Sequence, residues 1–231
     1  MRRRPAPVAA LPLADPWPLA PGLIAPNRWV VQPMEGWDAL ADGSPSDLTL
    51  RRWRNFGRSG AGLVWGGEAA AVTPDGRGNP HQLVVSDGTA AGLGALRRAL
   101  LDVAAEAGNP TPIVGLQLTH SGRWACPTSA GPRPRIAYSH PLLDARSGAT
   151  ADDVVTDADV DALVAAFARS AALAQSEGFD FVDLKHCHGY LLHEFLAARR
   201  RPGAWGGPTL DDRTRLIRRV SEAVRESAPA S

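Results

Sequence analysis

The residues able to do chemistry gather in two short stretches, Gln117-Leu118-Thr119-His120-Ser121-Gly122-Arg123 and Lys185-His186-Cys187-His188-Gly189-Tyr190, with Glu68 standing apart. His186, Cys187, His188 and His193 are all zinc-ligand types. Their spacing argues against a shared metal. Neighbours on an extended segment point to opposite faces, so Cys187 leaves the side that His186 and His188 share. An acid/base reading fits better. A phenol beside imidazole or cationic groups can donate a proton, and a histidine can hold an oxygen on which negative charge develops. Tyr190 and His188 are therefore read as functional, and His193, three residues after Tyr190, as packing at a helix start. Lys185 is the only lysine among 25 basic residues. An arginine-biased coding preference explains the imbalance; the lone lysine is either kept for its chemistry or a chance survivor.

Such residues need a frame, and the chain repeats one unit: an apolar β-branched run, a Gly-rich or polar loop, and a helix of period 3.6. The runs are Trp29-Val30-Val31, Leu63-Val64-Trp65 through Ala69-Ala70-Ala71-Val72, Ile113 to Leu118, and Phe179 to Leu184. The helices carry Leu50, Trp53 and Phe56; then Leu93, Leu96, Leu100, Val103 and Ala107; then Val160, Leu163, Val164, Phe167, Ala171 and Ala174; then Leu216, Ile217, Val220 and Val224. Thr156-x-x-Asp159 and Thr209-x-x-Asp212 predict capped helix starts, and Gly108 and Gly178 predict stops. A further helix is expected from Tyr190 to Ala198. The Pro/Gly/Ser-rich connection from about 122 to 153 is longer than a structureless loop usually runs, which points to a functional role. Apolar strands alternating with helices predict a parallel sheet covered by helices, with the site where the strands end. Four such units make either an open α/β domain or the first half of a (βα)8 barrel.

Composition removes other classes. Hydrophobic residues make up 44% and charged residues 21% of 231 residues, which is the balance of a folded chain. A net charge of +1 supplies no field for nucleic acid or an anionic membrane. No apolar run reaches the roughly 18 residues of a membrane span. Cys126 and Cys187 cannot make a disulfide scaffold. The glycines Gly60, Gly62, Gly66 and Gly67 bracket a strand instead of joining one to a helix, so they are not a dinucleotide fingerprint. Residues 1–17 read as an irregular leader, since prolines interrupt the stretch behind Arg2-Arg3-Arg4, and the protein is expected to be cytoplasmic.

Four blocks together resemble the old yellow enzyme family: Asn27-Arg28-Trp29-Val30-Val31-Gln32-Pro33-Met34, Gly60 to Ala69, Gln117 to Arg123, and His188-Gly189-Tyr190-Leu191-Leu192-His193-Glu194-Phe195-Leu196. The resemblance runs from about residue 18 to the end, in the family's order and spacing. It implies a TIM barrel, FMN as cofactor, NAD(P)H as reductant and an activated alkene or similar small molecule as acceptor, with residues 18–231 forming the N-terminal part of the barrel. It implies that Pro33, Met34 and Ala69 meet the flavin ring, that Gln117 bonds its pyrimidine edge, that His188 holds an acceptor oxygen and that Tyr190 donates the proton. Three features depart from the family pattern. Lys185 stands where His or Asn is usual, among the expected catalytic residues, and a lysine there can still bind an anionic oxygen while changing acceptor preference and flavin potential. Glu35 stands near the flavin, among the expected cofactor-binding residues, where Thr or Cys is common. A carboxylate there disfavours the anionic reduced flavin unless paired, with Lys185 a candidate partner. The family's later strands, with a flavin-binding Arg and the phosphate site, lie beyond this stretch. The stretch alone is thus expected to hold FMN weakly and to associate, with itself or with a complementary half-barrel. Two readings remain beside the enzyme: an inactive or partner-dependent half-barrel, and a small-molecule binding module without flavin.

Overall fold

The computed structural model describes residues 12–229, so most of the expected leader lies outside the described residues. The part of it that is described runs from a 3-10 turn at Pro12–Ala14 into a hairpin of β1 (Trp17–Ala20) and β2 (Leu23–Ala25). Trp17 thus belongs to a strand and not to the leader. Pro18 is tolerated because a two-stranded hairpin has open edges where a missing N–H costs nothing, and Gly22 turns the chain at φ 76°.

Behind the hairpin stands one parallel sheet of β3 (Val30–Val31), β4 (Leu63–Val64), β5 (Ala69–Ala71), β6 (Ile113–Thr119) and β7 (Phe181–Leu184). The run from Leu63 to Val72 reads as one strand but is two. Leu63 and Ala69 both pair with β6, opposite Ile113 and Gln117, and the chain breaks between them at Gly66 and Gly67. A Cβ at Gly66 would lie 2.8 Å from Pro33 Cβ and 3.1 Å from Gln117 Cβ, so the break needs a residue without a side chain. The fourth strand begins at Phe181, two residues later than its apolar run.

Alternation along the strands sorts the two faces. Val114, Leu116 and Leu118 join the large core beneath α1 (Asp47–Arg58), α2 (Ala90–Glu106), α4 (Asp157–Ser176) and α6 (Leu210–Ser227). Leu63 and Ile113 face the other way and are capped by Leu19, Leu23 and Ala25 of the hairpin. One layer further along, Phe181 lies opposite Gly115 in register and packs edge-on against Trp65, ring centroids 5.2 Å apart. Any Cβ at residue 115 would run into the Phe181 ring. This concave face stays partly open: Trp65 is 37% and Met34 69% exposed.

The helix stripes pack as their periodicity requires. Val160, Leu163, Val164, Phe167, Ala171 and Ala174 of α4 are all buried, behind a capping box formed by Thr156 and Asp159. The connection from 122 to 153 carries structure of its own, including α3 (Pro141–Ser147) and two 3-10 turns. Arg123, fully buried, pins it by ion pairs to Asp144 and Glu194 and by donating to the Tyr138 carbonyl. The helix expected from Tyr190 to Ala198 is shorter: α5 spans Leu191–Phe195.

Candidate active site

The C-terminal ends of adjacent parallel strands converge on one small volume. Ala69 of β5 and Asp183 of β7 both lie opposite Gln117 of β6. The Gln117 carboxamide is buried and its Nε2 donates to Asp183 Oδ2 at 2.5 Å. Ala69 is buried, and its N–H donates to the Met34 carbonyl at 3.3 Å, which ties the loop after β3 to β5. Phe181 and Asp183 alternate along β7, and Lys185, just beyond its end and donating its N–H to the Leu118 carbonyl, continues the alternation one layer above Asp183 on the concave side.

Above that layer, three expected residues meet. Lys185 Nζ lies 2.7 Å from Glu35 Oε1, and both side chains are more than nine-tenths buried. Tyr190 donates its hydroxyl to Glu35 Oε2 at 3.1 Å, and Lys185 Nζ sits 4.2 Å from the centre of the Tyr190 ring. Burial, then the Glu35 charge and its hydrogen bond, push the Tyr190 phenol well above its ordinary value, with the nearby Ser121 hydroxyl opposing them. Tyr190 therefore holds its proton at neutral pH, the form a general acid requires. His188 is exposed and adopts a left-handed backbone at φ 61°, followed by Gly189 at φ 67°. A non-glycine residue in this region costs roughly 1–3 kcal/mol, and such strain concentrates at functional turns. The turn carries the chain from β7 into α5 and leaves the His188 ring 6.3 Å from Tyr190, centroid to centroid.

His186 and His193 lie 6.2 Å apart by ring centroid, and His188 Nδ1 lies 3.0 Å from Cys187 Sγ. Among the described residues no cluster of three or more His, Cys, Asp or Glu could hold a metal ion.

Three further charged side chains fix the loop that carries Glu35. Glu68 is buried; its Oε1 accepts from Gly36 N–H at 2.7 Å, and its Oε2 lies 2.5 Å from Arg52 Nη2. Arg52 also holds Asp38 at 2.9 Å, so one guanidinium bridges α1, the Glu35 loop and the end of the second run. Burial raises the Glu68 carboxyl from 4.5 to about 7 despite the attraction of Arg52. The sequence marked Glu68 only by its place after Gly66-Gly67. The partnership with Arg52 and Asp38 carried no signal, since these residues come from separate segments. Asp183 was missed as well, although its alternation with Lys185 could have found it. A separate cavity of about 200 Å³ lies behind buried His120, beside Asp75, Arg135 and Leu163; neither Lys185 nor Tyr190 lines it.

A family model described as the NADH:flavin oxidoreductase / NADH oxidase family matches residues 22–230. The chain belongs to this family. It is 31% identical over 206 residues to an NADPH dehydrogenase of Clostridium acetobutylicum, a match covering 88% of this chain and 57% of that protein. It is 39% identical over 137 residues to an NADH-dependent flavin oxidoreductase of Talaromyces variabilis, covering 52% of this chain and 32% of that one. The old yellow enzyme homologue of Zymomonas mobilis superposes with a TM-score of 0.74 at 24% identity, over 94% of this chain and 60% of that chain. That likeness is one of fold, and it decides between the two architectures: the four units are consecutive units of a TIM barrel. The chain spans little more than half the length of the NADPH dehydrogenases it matches.

Proposed function

We propose that this chain supplies the substrate-facing part of an FMN-dependent oxidoreductase that passes reducing equivalents from NAD(P)H to an activated alkene or a similar small acceptor. The observation that carries this reading is the alignment, at one edge of the sheet, of Gln117 and Ala69 beside Lys185 and Tyr190. The donor set suits a flavin ring. Gln117 offers a buried carboxamide able to donate and accept, Ala69 presents a single methyl, and Gly66 keeps the floor between Pro33 and Gln117 free of a side chain. Pro33 and Met34 would line the ring from the first strand. A flavin bound there would take a hydride from NAD(P)H and pass it on.

The chain's own residues do the rest. His188 would hold the acceptor oxygen from the strained turn. Tyr190, kept as a neutral phenol, would give a proton to the acceptor once its hydroxyl is released from Glu35. Gln117, fixed by Asp183, would orient the flavin edge. We place the protein in the cytoplasm, since Cys126 and Cys187 are free thiols, and no described helix is long and apolar enough to cross a membrane. The open concave face, with Trp65 and Met34 exposed, favours self-association, which a sedimentation measurement on the purified protein would detect.

The reading is tested by mixing the purified protein with FMN under anaerobic conditions, adding NADPH or NADH and following the flavin absorbance, then adding an α,β-unsaturated ketone. Bleaching faster than that of free FMN, followed by recovery on adding the ketone, supports it. No acceleration over free FMN with either nicotinamide would sink it.

A further inference from the structure

The most unusual feature of the site is what already fills it. Glu35 Oε1 takes the ammonium of Lys185, and Oε2 accepts from the Tyr190 hydroxyl and, at 3.3 Å, from the Trp37 indole N–H. Three donors from the first and fourth strand ends thus converge on one carboxylate inside the site. A fourth polar group stands beside them: Ser121 Oγ is fully buried, close to the Tyr190 hydroxyl, and among the described residues it makes no hydrogen bond of standard geometry. It flanks the same glycine as Glu35, since a Cβ on Gly78 would lie 2.9 Å from Ser121 Oγ and 3.4 Å from Glu35 Oε2. An ammonium, a phenol and an indole N–H, with a buried hydroxyl beside them, make a receptor for a planar oxyanion.

We infer that Glu35 occupies, from within the chain, the seat of an anionic ligand, and so reserves the site for uncharged acceptors. This deepens the acceptor-site reading and rests on it, although the tests below need no flavin. With Glu35 in place the ammonium is neutralised, and an incoming carboxylate or phenolate would meet a like charge at short range. A neutral carbonyl oxygen meets no such charge and needs only one donor, which Tyr190 or His188 can supply. Glu35 is on this account a specificity-determining residue, held in position by Glu68 through the Gly36 N–H.

Because Lys185 is the only lysine, its reactivity can be read without ambiguity. The purified protein is treated with an acylating N-hydroxysuccinimide ester, and Lys185 modification is quantified by peptide mass spectrometry against the α-amino group, with and without sodium formate. In the wild-type protein Lys185 should react slowly, and formate should have no effect on it beyond its effect on the α-amino group. In Glu35→Ala the amine loses its buried counter-charge and the carboxylate that shields it, and its modification should rise about tenfold or more. Formate should then protect it saturably by entering the vacated seat. In Glu35→Gln modification should also rise, yet formate should not protect, because the amide still fills the space. Saturable formate protection of the wild-type protein would overturn the inference whether or not the variants fold. So would a folded Glu35→Ala protein, judged by circular dichroism, whose Lys185 reacts no faster or gains no protection. A protein that behaves as expected here but never reduces FMN would refute the flavin reading and leave the oxyanion seat standing.

Discussion

Replacing Glu68 by Gln should change how stability depends on pH more than it changes stability itself. The folded-state carboxyl titrates near 7, against an ordinary 4.5, chiefly because burial penalises its charge. A group raised in this way contributes stability that is complete below the unfolded value and is lost as pH climbs through the folded one. The interval is worth about 3 kcal/mol, at about 1.4 kcal/mol per decade. His120 works in the opposite sense. Burial lowers it from 6.5 to about 4, so its contribution is complete above 6.5 and is lost as pH falls towards 4. Between about pH 4.5 and 6.5 the two slopes oppose each other, and the wild-type protein should show a shallow profile there. Glu68→Gln removes one slope. Its amide oxygen can still accept from Gly36 N–H, and Arg52 keeps Asp38, so the variant should fold. Above pH 7 the amide is relieved of the buried charge, and the value near 7 already includes what the attraction of Arg52 gives back. Urea denaturation at half-unit steps from pH 4.5 to 8 measures both curves. The two proteins should be about equally stable near pH 4.5, where both side chains are neutral in the fold, and the variant should be the more stable by about 3 kcal/mol by pH 8. Two parallel curves would refute the assignment of a buried, high-titrating carboxyl to Glu68.

Arg123→Leu should cost about 3–5 kcal/mol in urea denaturation, because Glu194 is left buried without its partner, and adding Glu194→Gln should recover part of the loss. Gly115→Ala should cost about 1–3 kcal/mol by forcing the Phe181 ring aside; thermal melts should show Phe181→Leu restoring much of it in the double variant. Tyr190→Phe should leave FMN binding unchanged and slow reoxidation by an unsaturated ketone about 10²–10⁴-fold, measured by anaerobic stopped flow, whereas an unchanged rate would remove Tyr190 from proton transfer.

The elements that were legible in the sequence are those set by local chemistry. Thr156 and Asp159 announce the start of α4, Gly178 in a left-handed conformation ends it, and the apolar stripe between them buries as its period demands. The convergence of Gln117, Lys185 and Tyr190 followed from strand ends alone, because a parallel sheet leaves its loops on one edge. What was not legible depends on distant partners. The break at Gly66-Gly67 exists because Pro33 and Gln117 approach from neighbouring strands. The order of the 122–153 connection comes from Arg123 meeting Asp144 and Glu194. The hairpin at Trp17–Ala25 hides behind prolines that usually signal irregular chain. Gln117 pointed to a ligand-facing amide; its bond to Asp183 comes from the register between β6 and β7, which no spacing reveals.

The central claim is that Gln117 and its neighbours form the ring-facing side of a flavin site, and an FMN titration followed by flavin fluorescence tests it most directly. The account predicts weak but saturable quenching with the wild-type protein, and binding weaker by about tenfold or more in Gln117→Ala, the equivalent of one good hydrogen bond to a buried polar edge. Equal affinity in the two proteins, or no saturable change with the wild type, would contradict it.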